Sequence, residues 1–94
     1  TGFKVYLIEL ENKNERFFKI GRTYRDINKR IHGIPYQCEI LTTFNCDTAK
    51  DAFDLESQLK KVNKEYKYLP LNNFDGKYEC FSELNIPQLN AYIN

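Results

Sequence analysis

The chain has 94 residues, 41% of them apolar and 15% aromatic, which is enough for one small core but too few residues for two independent domains. A formal net charge of +1 excludes a strongly basic protein that binds nucleic acid through overall charge alone. No apolar run approaches the roughly 20 residues of a membrane span, and no signal-peptide pattern is present. We therefore expect one intracellular, non-membrane domain over residues 1–94. Because it begins at Thr1 and contains no Met, we expect it to be excised from a longer protein.

The strand pattern is clearest at the beginning of the chain. Residues 3–10, FKVYLIEL, predict a strand that is apolar on both faces, which is typical of a strand covered from both sides. The polar ENKNE that follows predicts a hairpin loop, and RFFKIGR returns as a second, antiparallel strand that ends at Gly21. Residues 25–32 predict a short helix, which Gly33 and Pro35 terminate.

A third strand and a longer helix are predicted next. The third strand is YQCEILTTF, residues 36–44. Asp47 or Thr48 is expected to cap the helix that follows, because Asp51 stands three residues after Thr48 as in a capping box. We expect this helix to reach about Tyr66. Its buried stripe is predicted at Ala52, Leu55, Leu59, Val62 and Tyr66.

The end of the chain predicts one more strand and one more helix. KYECF, residues 77–81, indicates a short strand, and SELNIPQLNAYIN, residues 82–94, a helix entered at Ser82. The resulting order is β-β-α-β-α-β-α. It predicts the α/β (α+β) class, with a small central antiparallel sheet of about three strands flanked by helices.

The cysteines indicate a reducing environment. There are three, at positions 38, 46 and 80, an odd number at wide spacing. Such thiols typically act as small core residues in intracellular proteins. A zinc site made of these cysteines and His32 is disfavoured, because no C-x-x-C pair is present to begin it.

Positive charge is concentrated in one segment of this nearly neutral chain. Residues 19–32 carry five Lys or Arg against one Asp. Each charged residue has an ordinary explanation: Lys29 and Arg30 suit the negative end of a short helix, and Glu56 can pair with Lys60 four residues on. Taken together, these residues are the types required to hydrolyse a phosphodiester. Phosphodiester hydrolysis requires a group that positions or deprotonates water, cations at the phosphate, and a carboxylate for a divalent metal.

Short motifs in the same order resemble those of the GIY-YIG nuclease superfamily. VYL at 5–7 is followed by KIG at 19–21 after an 11-residue gap. This pair is similar to the branch, found in phage and large DNA virus proteins, that reads K-I-G in place of Y-I-G. The likeness continues through KIGRT, Arg30, LESQL and YECF, and covers about residues 3–81.

The resemblance implies a role for each matching residue. Tyr6 would activate or position the attacking water, and Lys19, in place of a second tyrosine, would assist it or contact the phosphate. Arg30 would stabilise charge on the scissile phosphate. The gap from Gly21 to Arg30 is one residue longer than the family pattern, which leaves Lys29 as a competing assignment. The further phosphate or DNA contacts implied are Arg22, Arg25 and Lys29.

The remaining implied roles concern the metal and the proton transfers. Glu56 would hold a single Mg²⁺ or Mn²⁺, which agrees with the preference of Mg²⁺ for one or two protein carboxylates. His32 would act as an acid or base, or contact the leaving group. Leu59 and Lys60 occupy the place where this branch often has a His, and Glu79 is the nearest candidate for the last polar residue of the site. We expect Tyr6, Lys19, Arg30 and Glu56 to line one concave face.

The function predicted from the resemblance is metal-dependent hydrolysis of DNA phosphodiesters. The domain would be the catalytic module of a phage, viral or mobile-element endonuclease, with target choice supplied by a separate DNA-binding domain and RNA left open as a substrate. Two alternatives remain open. The same fold could be a catalytically silent module that binds nucleic acid or protein, or a domain that assembles through its aromatic surface.

Overall fold

Two hydrophobic strands joined by a tight polar loop begin the fold, in a computed structural model that describes residues 2–24 and 26–85. The strands are β1 (Phe3–Glu11) and β2 (Arg16–Thr23), paired antiparallel. The loop is ordered by Asn12, whose side-chain oxygen accepts hydrogen bonds from the backbone N–H groups of two following residues. Strand β2 continues through Gly21, so the prediction that it ends there was wrong.

Strand β3 (Gln37–Cys46) pairs with the other side of β1, and a two-residue strand β4 (Cys80–Phe81) pairs with β2. The sheet order is β3-β1-β2-β4, with every pairing antiparallel. The predicted α+β class and antiparallel sheet are confirmed, with four strands in place of about three. The register of β1 against β3 shifts at Leu7/Ile8, a bulge that sharpens the local twist.

Helix α1 (Ile27–Ile31) is shorter than the predicted 25–32. Asp26 caps it, accepting a hydrogen bond from the backbone N–H of Asn28 at 2.9 Å. Just after the helix, Gly33 has a φ of +90°, the left-handed conformation expected of a glycine at this position. Arg25 lies outside the described residues.

Helix α2 (Ala49–Val62) starts where the sequence predicted and ends earlier. Thr48 caps it through a hydrogen bond from the backbone N–H of Asp51 at 3.1 Å. The helix stops before Tyr66 because the buried Asn63 side chain takes part in the end of the helix, donating to the carbonyl of Leu59 at 2.9 Å. A 3₁₀ turn, Lys64–Tyr66, follows.

The predicted strand at 77–81 is divided between two conformations. Lys77–Glu79 forms a 3₁₀ turn entered at Gly76, whose φ is +96°, and only the last two residues form β4. Residues 82–85 of the predicted final helix are not helical, and residues 86–94 lie outside the described residues. Within the described part of the chain, no helix is long and apolar enough to cross a membrane.

The core lies on both faces of the sheet, as the doubly apolar β1 predicted. On one face α2 packs against the strands, and the buried residues there are Val5, Leu7, Ile20, Ala52, Leu59 and Phe81. On the other face, towards α1, they are Tyr6, Ile8, Leu10, Phe17, Tyr36 and Cys80. The central strands are therefore shielded from water, and any polar group on them must find its partner inside the protein.

The buried carboxylate of Glu15 binds together several segments at one end of the sheet. Glu15, 8% exposed, accepts hydrogen bonds from the hydroxyls of Tyr36 and Tyr68 and from the backbone N–H of Leu71. Burial alone would raise the pKa of Glu15, but these three hydrogen bonds outweigh it and hold the pKa below its usual value of 4.5. The ionised form of Glu15 therefore stabilises the fold.

Candidate functional site

A buried lysine and tyrosine meet above Gly21 at the centre of the sheet. Lys19 Nζ donates to Tyr6 Oη at 2.6 Å, and the two residues are 0% and 1% exposed. The register pairs Tyr6 with Gly21, so the tyrosine ring lies over a residue that has no side chain. A Cβ at Gly21 would stand 2.4 Å from Tyr6 Cζ and Oη and 2.7 Å from Lys19 Nζ. The glycine of K-I-G is thus required so that these two side chains can meet.

A second glycine admits the aliphatic end of Lys19. A Cβ at Gly76 would lie 2.5 Å from Lys19 Cε and 3.3 Å from Glu79 Oε1. The Lys19 ammonium also faces Glu79 Oε1 at 3.3 Å. A fully buried ammonium is stable only when it is paired, and here Tyr6 and Glu79 provide its partners.

From Glu79, alternating charges lead to the long helix. Lys60 Nζ contacts Glu79 Oε2 at 2.6 Å and Glu56 Oε2 at 3.1 Å, so one ammonium joins two carboxylates. Arg22 Nε lies 3.5 Å from the other oxygen of Glu56. Burial alone would raise the pKa of Glu79, but the charges of Lys19 and Lys60 outweigh it and hold this pKa below its usual value.

The contacts that link Lys19 to Glu56 extend from one face of the sheet to the other, past the edge strand β4. Side chains alternate along β2, so Lys19 and Arg22 project to opposite faces. Tyr6 and Lys19 lie on the α1 face, Glu56 belongs to α2 on the other face, and Glu79 stands beside the edge strand β4. The expectation that Tyr6, Lys19, Arg30 and Glu56 line one concave face was therefore wrong, because Glu56 lies on the opposite face of the sheet from Tyr6 and Lys19.

Glu56 is the side chain most suited to holding a divalent cation. It is 6% exposed, although it stands one position off the predicted apolar stripe of α2. Its two oxygens face Arg22 and Lys60, so a metal ion that binds to Glu56 must displace at least one of these two cationic side chains. Within residues 2–24 and 26–85, no group of three or more His, Cys, Asp or Glu side chains could hold a metal. A single carboxylate is compatible only with a hard ion that takes one or two protein carboxylates and completes its shell with water or phosphate, as Mg²⁺ and Mn²⁺ do.

An open cavity of about 590 Å³ brings Arg22 and Arg30 together between the ends of β1, β2 and α2. The side chains of these arginines are 45% and 33% exposed, so both can meet a ligand. Arg30 Nη1 also lies 3.7 Å from the exposed carboxylate of Asp75. The residues that line the cavity are Phe3, Arg22, Thr23, Tyr24, Arg30, Ala49 and Ala52.

The other basic candidates lie beside this cavity. His32 and Lys29 are exposed and line a second, smaller depression of about 310 Å³, which Arg30 borders as well. Of the two competing assignments, Arg30 thus shares a cavity with Arg22, whereas Lys29 lines only the smaller depression. Arg25 lies outside the described residues, so its position is not part of the site described here.

The cysteines take no part in the site. Burial raises the pKa of the Cys80 thiol to about 12 and also raises the pKa values of Cys38 and Cys46. A thiol that stays protonated at neutral pH is a poor nucleophile and a poor zinc ligand. All three are free thiols, as the odd count and wide spacing predicted.

Two features of the site escaped the sequence patterns. The spacing of Lys60 predicts only a surface pair with Glu56, whereas its bond to Glu79 joins residues 19 positions apart in the sequence. Gly76 resembled an ordinary loop glycine. The one local signal was the i,i+4 spacing of Glu56 and Lys60, which places both on the same side of α2.

The comparison with protein families matches the T5orf172 domain over residues 4–94, nearly the whole chain. The chain belongs to the T5orf172 domain family. This is a phage-associated domain related to nucleases, which agrees in general terms with the motifs of β1 and β2. No match was found among curated proteins or among solved structures.

Proposed function

We propose that this T5orf172 domain is a metal-dependent endonuclease domain of the GIY-YIG type, which hydrolyses DNA phosphodiesters as the catalytic module of a phage, viral or mobile-element endonuclease. The observation that carries the proposal is the buried Tyr6–Lys19 pair, connected through Glu79 and Lys60 to Glu56. A purely structural sheet has little reason to bury this many charges, because each must be desolvated and then paired.

The polarity of the Tyr6–Lys19 bond supports a role for Tyr6 at the nucleophile. An ammonium has only donors, so Lys19 must donate and Tyr6 Oη must accept. The hydroxyl proton of Tyr6 therefore points away from Lys19, so Tyr6 can donate a hydrogen bond to the attacking water and position it. If Tyr6 is instead the general base, it acts as the phenolate, which the Lys19 ammonium stabilises and which takes a proton from the water as the water attacks the phosphorus.

The other residues then provide phosphate binding and a metal ligand. Arg22 and Arg30 contact the scissile phosphate and offset its growing negative charge. Glu56 holds Mg²⁺ or Mn²⁺, which, when bound, stabilises charge on the phosphoryl oxygens as a Lewis acid. Lys60 and Glu79 keep Glu56 and Lys19 in position. DNA is the expected partner, and a separate domain would select the target.

One observation favours a second candidate function, a catalytically silent nucleic-acid-binding module on the same fold. Tyr6 and Lys19 are 1% and 0% exposed, so neither meets solvent in this conformation. Under the nuclease proposal, the groups that bury them, Gly76–Glu79 among them, must move aside for substrate. Under the alternative, the pair simply stabilises the core and only Arg22 and Arg30 meet the phosphate.

Cleavage of supercoiled plasmid in Mg²⁺ distinguishes the two functions. Under the nuclease proposal, the native chain nicks the plasmid, and Glu56→Gln and Arg30→Ala each lower the rate by roughly 10²-fold or more. Glu65→Gln, at an exposed position just after α2, serves as the control and should cleave at the native rate. Equal cleavage by Glu56→Gln and Glu65→Gln would contradict the metal assignment. Plasmid binding without cleavage by the native chain would favour the silent module.

A further inference from the structure

We infer that the cavity between Arg22 and Arg30 receives a single unstacked nucleobase together with its phosphate, so that the substrate is single-stranded or locally distorted DNA rather than a regular duplex. This inference rests on the proposed function and names its substrate class. The evidence is the combination in one cavity of aromatic rings, small side chains and two arginines.

The walls of the cavity are suited to a flat aromatic ligand. Tyr24 is 62% exposed, so its ring can meet a ligand, and it stands 6.4 Å from the ring of Phe3 at an angle of 58°. The start of α2 contributes only two small side chains to the lining, those of Ala49 and Ala52. A volume of about 590 Å³ lies within the ordinary range of sites for small organic ligands.

The charge on the rim is suited to a phosphate. Arg22 is held in place by two contacts, its Nε with Glu56 at 3.5 Å and its guanidinium over the ring of Phe53 at 4.8 Å. Arg30 comes from α1, and its contact with Asp75 is at a surface where the aspartate is 93% exposed. Surface pairs of this kind are weak and can be exchanged for a phosphate at little cost.

The occupant must combine a π-face with a negative charge, and a nucleotide does so. Bases stack on aromatic side chains with little sequence preference, which suits a module whose target is chosen elsewhere. A base inside a duplex cannot enter such a cavity unless it leaves the stack, at a cost of a few kcal/mol that single-stranded or distorted DNA largely avoids. We therefore expect single-stranded oligonucleotides to bind more tightly than duplexes of equal length.

The test uses thymidine 3′,5′-bisphosphate as the probe, titrated into the full 94-residue chain in EDTA and followed by amide chemical shifts. Its abasic counterpart, deoxyribose 3,5-bisphosphate, carries the same phosphates without the base. We expect the nucleotide to shift the amides of Tyr24, Ala49 and Ala52 and to bind about tenfold more tightly than the abasic probe. Tyr24→Ala should remove that advantage, whereas Tyr78→Ala, at a tyrosine that is 68% exposed and outside the cavity lining, should keep it.

Equal affinity for the two probes would overturn the inference, because the arginines alone would then account for binding. Equal effects of Tyr24→Ala and Tyr78→Ala would overturn it as well. Neither result depends on cleavage, since the titration contains no divalent metal. If the chain binds the nucleotide in this cavity but does not cut plasmid in Mg²⁺, that result would contradict the proposed nuclease function and would still support a binding site for a base.

Discussion

Replacing Gly21 by Ala tests whether the Tyr6–Lys19 pair must be held in its observed position. The added Cβ would lie 2.4 Å from Tyr6 Cζ and Oη, and ordinary contact begins near 3.4 Å, so the tip of the tyrosine must retreat by about 1 Å. Tyr6 is 1% exposed and belongs to the buried cluster on the α1 face, so its ring cannot move out into solvent. The movement also disrupts the 2.6 Å bond from Lys19.

The magnitude follows from that displacement. Overpacking of a core by one methyl group costs about 1–3 kcal/mol in the free energy of unfolding. A catalytic group misplaced by about 1 Å lowers the rate by roughly 10²-fold. We therefore expect Gly21→Ala to unfold at a lower urea concentration and, at a temperature where it is still folded, to nick supercoiled plasmid about 10²-fold more slowly.

The control separates crowding from backbone strain. At Gly33 a Cβ meets nothing within 4 Å, but φ is +90°, so Gly33→Ala should lose about 1–2 kcal/mol of stability and keep its cleavage rate. A second variant, Tyr6→Leu in the Gly21→Ala background, removes the crowded ring tip but also one partner of the buried Lys19 ammonium, so it should not regain cleavage and should not reach native stability. Native stability and native cleavage in Gly21→Ala would refute the reasoning.

Two further predictions concern other charged groups. Lys60→Met removes the ammonium that joins Glu56 and Glu79, so these carboxylates should bind Mn²⁺ roughly tenfold more tightly than in the native chain, as measured by calorimetry. Lys61→Met, at the exposed neighbouring position, should leave the affinity for Mn²⁺ unchanged. Equal affinities of the Lys60→Met variant and the native chain would contradict the contacts of Lys60. The lowered pKa of Glu15 means that its contribution is complete above the usual value of 4.5 and is lost as the pH falls through the folded-state value. Glu15→Gln should therefore lower the free energy of unfolding by about 1–3 kcal/mol at pH 7, as measured by urea unfolding. As the pH falls, this variant should lose less further stability than the native chain. The same dependence of stability on pH in both proteins would contradict the role of Glu15.

The sequence predicts those parts of the fold and site that depend on local periodicity. The alternation in β1 places Tyr6 and Val5 on opposite faces, and the spacing of Thr48 and Asp51 marks the start of α2. Each of these patterns involves residues only a few positions apart, whose arrangement follows from the local geometry of a strand or of a helix N-terminus.

What the sequence did not predict depends on partners distant along the chain. Asn63 ends α2 through its buried side chain, which bonds to Leu59 and accepts from the backbone N–H of Asn85 at 2.6 Å. Glu79 meets Lys19 and Lys60 only because β4 pairs with β2, and a two-residue strand leaves no periodicity to detect. The purpose of Gly21 likewise appears only once β1 and β2 are in register.

The most direct test of the central claim is single-turnover cleavage of supercoiled plasmid by the native chain and by Tyr6→Phe, in Mg²⁺ and with the protein in excess. The substitution keeps the ring over Gly21 and removes only the hydroxyl that Lys19 contacts at 2.6 Å. If the pair serves the nucleophile, the native chain nicks the plasmid and Tyr6→Phe does so at least about 10²-fold more slowly, with DNA binding unchanged. Equal cleavage rates, or binding by the native chain without any cleavage, would contradict the claim.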